Sequence, residues 1–352
     1  MAIVWQLRLK DVAGALVALF DEWPDLRVER TVNAPDAYAL RLSGDNDKVA
    51  LFDLDGQLEG WYKDDDAGIA WHLEFEAFTV DQEHWTDKDG SRWFLSSGPG
   101  YLDLLNRTLI HTYAGHADSI GSGVGETVIK AFVNKQVGPG AGARARAGLA
   151  MEADAAAGAN WDGQRSNKNV LELCQEIARM TGVQIKCVGT GAATFEFQVD
   201  VATDRTATVI FSEAFGNMAE PHLRLNNSRV RNWIKVGGQG QGVARTFVTR
   251  SDAASIALST WNQREAFKIA TDQTLAAQLN SRGDEALAEL EATQTLTFRV
   301  LQTPGCRYGV HYFLGDEVTA IYAGTTYTKL VNSATWKCDK SGNFVDIGMI
   351  DA

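Results

Sequence analysis

From Leu296 to the C-terminus the chain alternates apolar and polar positions at the period of half-buried strands. Leu296, Phe298 and Val300 interleave with Thr295, Thr297 and Arg299. Val310, Tyr312 and Leu314 run into the turn pair Gly315-Asp316, and Val318, Ala320 and Tyr322 alternate again beyond it. The stretch "TTYTKLV" adds another strand, and "TWKCDKSGNFVDIGMI" reads as a hairpin turning at Lys340-Ser341-Gly342-Asn343. This succession predicts a closing antiparallel barrel.

The first 97 residues carry a similar signal. "IVWQLRL", "ALVALF", "DAYALRLSG", "QLEGWY", "IAWHLEFEAFTV" and "SRWFLSSG" are separated by turn pairs at Asp45-Asn46, Asp55-Gly56 and Asp89-Gly90. The clearest alternation sets Trp71, Leu73, Phe75 and Ala77 on one face against His72, Glu74 and Glu76 on the other. Short strands at this spacing predict a barrel or sandwich.

Between these blocks the period changes to that of helices. In "GPGYLDLLNRTLI", Gly98-Pro99 opens a segment in which Leu102, Leu105 and Leu109 form a stripe. "GETVIKAFVNKQV" places Val128, Ile129, Phe132 and Val133 on one side and stops at Gly138-Pro139. The Gly/Ala-rich run Gly138–Gly148 reads as a mobile loop or linker. "SNKNVLELCQEIARMTG" predicts the best helix, capped by Ser166, apolar along Val170, Leu173, Cys174 and Ile177, and ended by Gly182. The strands "VQIKCV", "TFEFQVD" and "TATVIF" follow, then a strand pair in "VRNWIKVGG" and "VARTFVTR", and an amphipathic helix from Leu275 to Leu290.

Composition narrows the function classes. The 33 basic and 45 acidic residues leave a net charge of −12, which argues against gripping nucleic acid by phosphate neutralisation. No apolar run approaches transmembrane length, so no stable membrane insertion is expected. The N-terminus has no signal-peptide pattern, which implies synthesis in a cytoplasm. Cys174, Cys187, Cys306 and Cys338 are scattered, without C-x-x-C spacing, and read as reduced thiols.

No motif assembles a catalytic centre. "GSGVGET" (Gly121–Thr127) resembles a phosphate loop only faintly, because Glu126 stands where Lys is needed and itself satisfies the helix dipole. "VGGQGQG" (Val236–Gly242) is followed by strand formers and reads as a hairpin loop. The six histidines lack metal-ligand spacing; His111 and His116 lie five apart without identifiable partners, and His311 reads as a packed strand residue. Asp64, Asp65 and Asp66 read as a solvated hairpin tip, whereas Glu74 and Glu76 either face solvent or line a polar lumen. Trp5, Trp71, Trp93, Trp233 and Trp336 fall in strand patterns, where burial competes with a sugar-platform role. No catalytic residue, cofactor or metal is expected, and the chain reads as no enzyme.

The order of these elements resembles the siphophage tail-tip hub, or tail-associated baseplate hub, family. The resemblance rests on "WQLRLKD" (Trp5–Asp11), "LSSGPGYLDLLNRTLI" (Leu95–Ile110), "SNKNVLELCQEIARMTGVQIKC", "VIFSEAFGNM" (Val209–Met218), "VRNWIKVGGQGQG" (Val230–Gly242) and "YGVHYFLGDEVTAIY" (Tyr308–Tyr322) in succession. It implies a β-rich α+β fold with two tube-forming β-barrel domains and lateral α/β domains. The corresponding expectation is a first barrel with its closing helix over 1–117 and a lateral α/β domain over 118–227. A second barrel takes 228–250 plus 294–352, with a lateral helical insertion over 251–293. Functionally, the resemblance implies a homotrimeric hub closing the end of a long non-contractile tail in the virion. Its expected partners are the distal tail protein ring, the tape-measure protein and a tail fibre or tip protein, with DNA passing transiently.

An acidic channel wall lets DNA slide without sticking, and Glu74 and Glu76 are the candidate lining pair. Their neutralisation is expected to leave folding intact. Because the chain stops at Ala352 beyond the last strand pattern, lytic or receptor-binding activity is expected from another protein. The alternative classes are a carbohydrate- or receptor-binding tip module, suggested by the tryptophans, and a cell-wall glycan hydrolase using paired carboxylates.

Overall fold

The strand Thr325–Asp339 organises the molecule. Its 15 residues are long enough to take different partners along its length. Its first part pairs antiparallel with Glu317–Tyr322, and its last part pairs on the same side with Asp25–Thr31, from Ser333 opposite Thr31 to Asp339 opposite Asp25. Gly342–Asp351 returns along its other side. The chain's beginning and end therefore share one sheet, which continues through Ala37–Ser43 and Arg92–Pro99 to Asp81–Thr86. The computed structural model describes residues 3–112, 119–271, 273, 275–291 and 293–352.

The chain forms two units, one of Met1–Glu220 with Phe298–Ala352 and one of Pro221–Thr297. In the first unit a second, four-stranded sheet runs in the order Leu16–Phe20, Val4–Lys10, Gly56–Asp64, Ile69–Thr79. Aromatic side chains from both sheets meet. Trp5 lies 5.2 Å from Trp336 in an edge-on contact and 5.4 Å from Tyr62, and Tyr62 lies 5.3 Å from Trp336. Such contacts hold rings in preferred geometry beyond their area burial.

The fold is β-rich with few helices, as the alternation predicts. Among the described residues the strand orders are open paths, so the closed barrels expected at each end are not found. Alternation reports which face of a strand is buried, and is silent on whether the outermost strands meet. Residues 25–31 pair with 333–339, across the first and second expected barrels. Trp233–Gly237 pairs instead with Phe247–Ser251 and, in parallel, with Glu265–Ile269, forming a separate three-stranded sheet in the second unit.

The helical readings fare well where the apolar stripe is long. Gly125–Gln136 buries Val128, Ile129, Phe132 and Val133, and Val170–Thr181 buries Val170, Leu173, Cys174 and Ile177. Asn169, rather than Ser166, caps the second helix by accepting from the Glu172 amide, and Gly182 ends it at φ 74°. These helices share a core with the sheet of Leu149–Met151, Thr194–Val201 and Val183–Gly191. "TATVIF" yields only the two-residue strand Ile210–Phe211. The Gly138–Gly148 run contains tight helical turns over Pro139–Arg144, tied down where Arg144 Nη2 donates to the Leu109 carbonyl at 2.8 Å. No helix among the described residues is long and apolar enough to cross a membrane.

The "GPGYLDLLNRTLI" helix shrinks to Asp103–Asn106, with Leu109 half exposed. Gly98 stays in a strand because the backbone of Phe78 crosses it: a Cβ at Gly98 would lie 1.8 Å from the Phe78 carbonyl oxygen. Gly98→Ala is expected to lower the unfolding free energy by about 1–3 kcal/mol or more, since the obstructing atom is backbone. Urea denaturation compared with wild type checks this, and an unchanged midpoint refutes the close approach.

Candidate functional site

The strand Ile69–Thr79 carries the two acids that the alternation singled out. Its pattern predicts one covered and one open face. Phe75 and Ala77 are indeed buried, but Glu74 is only 3% exposed, while Trp71 is 43% exposed. A bulge breaks the alternation here: Gly60 is opposite Phe75 and Trp61 opposite Leu73, so the intervening Glu74 turns to the same side as Phe75, towards the sheet that carries Tyr38 and Trp336.

Three donors converge on one oxygen of Glu74. Its Oε1 accepts from Arg30 Nη1 at 3.1 Å, Trp336 Nε1 at 3.1 Å and Tyr308 Oη at 3.2 Å. Arg30 also donates from Nε to Asp36 at 3.1 Å, so one guanidinium bridges two carboxylates. Burial opposes the charge on Arg30, but the Asp36 and Glu74 carboxylates outweigh it and hold the guanidinium firmly protonated. Burial pushes the Tyr308 phenol up, and the neighbouring Glu74 charge adds to the effect. Glu74 thus binds the two sheets together through charge-assisted hydrogen bonds, which are about twice as strong as neutral ones.

Glu76 is half-buried and accepts from the Gly189 amide at 2.9 Å. Burial raises its carboxyl above the usual range, with the Gly189 amide opposing. Around the two acids lies a cleft of about 620 Å³ in the first unit, lined among others by Arg30, Asp36, Lys186 and Arg205. Side chains brace its rim: Asn33 Oδ1 accepts from the Ile185 amide at 2.7 Å, and Gln184 Nε2 donates to the Gly315 carbonyl at 2.8 Å. Arg205 is held by Asp316.

The cleft's charges are occupied in holding the chain together. Cys187 lines it, but burial pushes that thiol up to about 12, so it is protonated and a poor nucleophile. Among the described residues no group of three His, Cys, Asp or Glu is placed to hold a metal ion.

Other singled-out residues have structural duties. Glu126 is buried at its helix start and accepts from the Ala155 and Ala157 amides at 2.9 and 2.7 Å and from Lys130 at 2.6 Å. Glu126 thus holds the 155–157 loop rather than capping its own helix as expected of "GSGVGET"; the Gly125 and Glu126 amides donate instead to the Ala159 and Ala157 carbonyls. "VGGQGQG" lies where expected, in the turn of an antiparallel pair. Asp64 departs from the hairpin-tip reading: it is buried and meets Arg307 Nη1 at 2.9 Å, because the Arg307 loop folds over it. His311 lies outside any named strand and accepts at Nδ1 from the Arg307 amide at 3.0 Å. His116 lies outside the described residues.

Of the five tryptophans in strand patterns, Trp5 and Trp336 are core residues. The most exposed tryptophan was not among them. Trp261, 89% exposed, follows the short helix Ala253–Ile256 in a Ser/Thr-rich stretch, and that polar setting was its available signal.

The architecture defines a class. The structure is similar to the tail protein from Neisseria meningitidis MC58, with a TM-score of 0.59 and 13% identity over 100% of this chain and 97% of that one. It is similar also to the 43 kDa tail protein of prophage MuSo2 from Shewanella oneidensis, with a TM-score of 0.61 and 13% identity over 99% and 98% of the two chains. The prophage tail protein gp18 from Listeria monocytogenes EGD-e matches with a TM-score of 0.56 and 13% identity over 99% and 94%. At these identities the likeness is one of fold. No curated protein matches the chain in sequence. The chain belongs to the Siphovirus ReqiPepy6 Gp37-like protein family, whose model matches residues 5–348.

Proposed function

We propose that this chain is a structural component of a bacteriophage tail, acting as a homotrimeric hub at the distal end of a long non-contractile tail. The observation that carries this reading is the end-to-end likeness to tail proteins, which spans nearly the full length of both chains. Family membership supports it. So does a cleft whose charged groups Arg30, Glu74, Arg205 and Asp316 are ion-paired within the fold.

In this reading three copies supply the walls of a passage for the tape-measure protein and DNA, in the virion tail tip, after synthesis in the host cytoplasm. The hub sits beneath the distal tail protein ring and above a fibre or tip protein. Two tube domains per chain are completed in the assembly, where neighbours can cover sheet edges that one chain leaves open. Of the two acids considered for the lumen, Glu76 is the better candidate, because Glu74 is engaged inside the chain. A carbohydrate-binding role is the second reading, and the exposure of Trp261 is what favours it.

Imaging of purified protein, alone and mixed with the distal tail protein, tests the hub reading. A threefold ring with a central hole is expected. A single-chain particle in both samples refutes it. A glycan-binding signal lost in Trp261→Ala moves the assignment to the second reading.

A further inference from the structure

The second unit carries a sheet with one bare face. Ile234 and Val236 point to the helix Ala276–Glu289, where they pack with Leu279 and Ala286. The opposite face presents Phe247, Phe267 and Ile269, which are 44%, 50% and 64% exposed. Sheet register places them together: Gly237 is opposite both Phe247 and Ile269, and Lys235 is opposite Phe267. The water-facing side of a sheet is ordinarily polar, so three large apolar side chains there mark an interaction surface.

Two cations are built into this face. Lys235 Nζ sits 4.7 Å from the centre of the Phe247 ring, and the Arg245 guanidinium lies 5.5 Å from Phe267 and 5.9 Å from Phe247. Arg245 is anchored by donating to the Gly237 and Gly238 carbonyls at 2.9 Å each, and the missing side chain of Gly237 makes its room. Among the described residues neither cation is paired with a carboxylate. Aromatic rings with arginine are the composition of interface centres.

Charge is distributed unevenly between the units. Residues 221–297 contain nine Lys or Arg and seven Asp or Glu, which leaves 24 basic and 38 acidic residues elsewhere out of 33 and 45. The cationic, aromatic face thus belongs to the mildly positive part of a strongly acidic chain.

We infer that the Lys235–Phe247–Phe267–Ile269 face docks against the acidic first unit of a second copy of this chain. The inference rests on the hub reading and names its subunit contact. Such a contact joins unlike surfaces, so repetition closes into a ring when the rotation per copy permits. Opposite charge speeds encounter and fixes register, while the apolar centre supplies most of the affinity.

Light scattering of the full chain over a range of concentrations and salt tests it. The wild type is expected at a multiple of 38.4 kDa, with association weakened by added salt. Phe267→Asp with Ile269→Asp should leave a single-chain mass at every concentration, with an unchanged far-ultraviolet circular dichroism spectrum because both residues are exposed. Lys235→Glu should raise the dissociation midpoint about tenfold by setting like charges together. A photo-crosslinking residue at position 267, in mixtures of isotope-labelled and unlabelled chains, should capture peptides from residues 1–220 or 298–352 of the other copy.

A wild type that stays at one chain mass overturns the inference. So does an oligomer that survives the double substitution, or crosslinks confined to residues 221–297. Ring imaging with the distal tail protein judges the hub separately, so that reading can stand when this contact fails.

Discussion

Glu74→Ala is expected to lower the unfolding free energy by about 3–5 kcal/mol, the cost of removing one partner from a buried ion pair. The loss comes from what remains: Arg30 keeps only Asp36, and the Tyr308 hydroxyl and Trp336 indole N–H lose their common acceptor. Glu74→Gln keeps the shape but offers a neutral acceptor to a guanidinium, so it should fall between alanine and wild type. Glu76→Gln should change stability little, because burial already biases that carboxyl towards its neutral form. Urea melts of the three variants check this order. Equal, small effects at both positions would return Glu74 to the role of an open-face acid whose neutralisation leaves folding intact.

The second large effect belongs to Glu126 and Lys130. Glu126→Ala leaves the Lys130 ammonium, 7% exposed, with only Glu152 and the Ala153 carbonyl and releases the Ala155 and Ala157 amides, for an expected loss of about 2–3 kcal/mol. Replacing both residues by Met should recover only the part due to the weakened Lys130 pairing, because the Ala155 and Ala157 amides still lack their acceptor. The pH dependence has a definite sign. Burial works against ionisation of Glu126, but the two amides and Lys130 prevail and hold its carboxyl below the ordinary 4.5. A depressed folded value means the contribution is fully present above the unfolded value and lost as pH falls through the folded one. Wild type should therefore lose more stability than Glu126→Gln between about pH 5 and pH 3, measured by thermal melts across that range. Parallel curves for the two proteins would show that the ion pair contributes nothing.

The helices were the most legible part of the chain. Val170, Leu173, Cys174 and Ile177 recur at helical spacing, and Gly182 supplies the left-handed residue that ends the segment. Each of these signals is local, so one-dimensional reading recovers it. Leu102, Leu105 and Leu109 show the limit of the same rule: the stripe is present, but Gly98 is held in a strand by Phe78 and the helix lasts only four residues. The strands were legible one by one, and their partners were not. Nothing in "TTYTKLV" or "TWKCDKSGNFVDIGMI" signals that Thr325–Asp339 pairs with Asp25–Thr31.

The candidate site followed the same division. The pattern placed Glu74 and Glu76 on one strand face, but a lone strand has no means of showing the bulge against Gly60–Trp61 that turns Glu74 towards the other sheet and leaves Glu76 beside Gly189. Arg30, Tyr308 and Trp336 lie 44, 234 and 262 residues from Glu74 along the chain. Asp64 was misread for the same reason, with its partner Arg307 at a separation of 243 residues.

Sequence by itself determined the β-rich class, the main helices and the family, because periodicity, caps and the order of segments are properties of neighbouring residues. Tertiary structure decided which strands share a sheet, which carboxylates are buried and which sheet face stays bare. Those outcomes depend on contacts between distant segments, where burial and charge pairing are settled only once the chain has closed on itself.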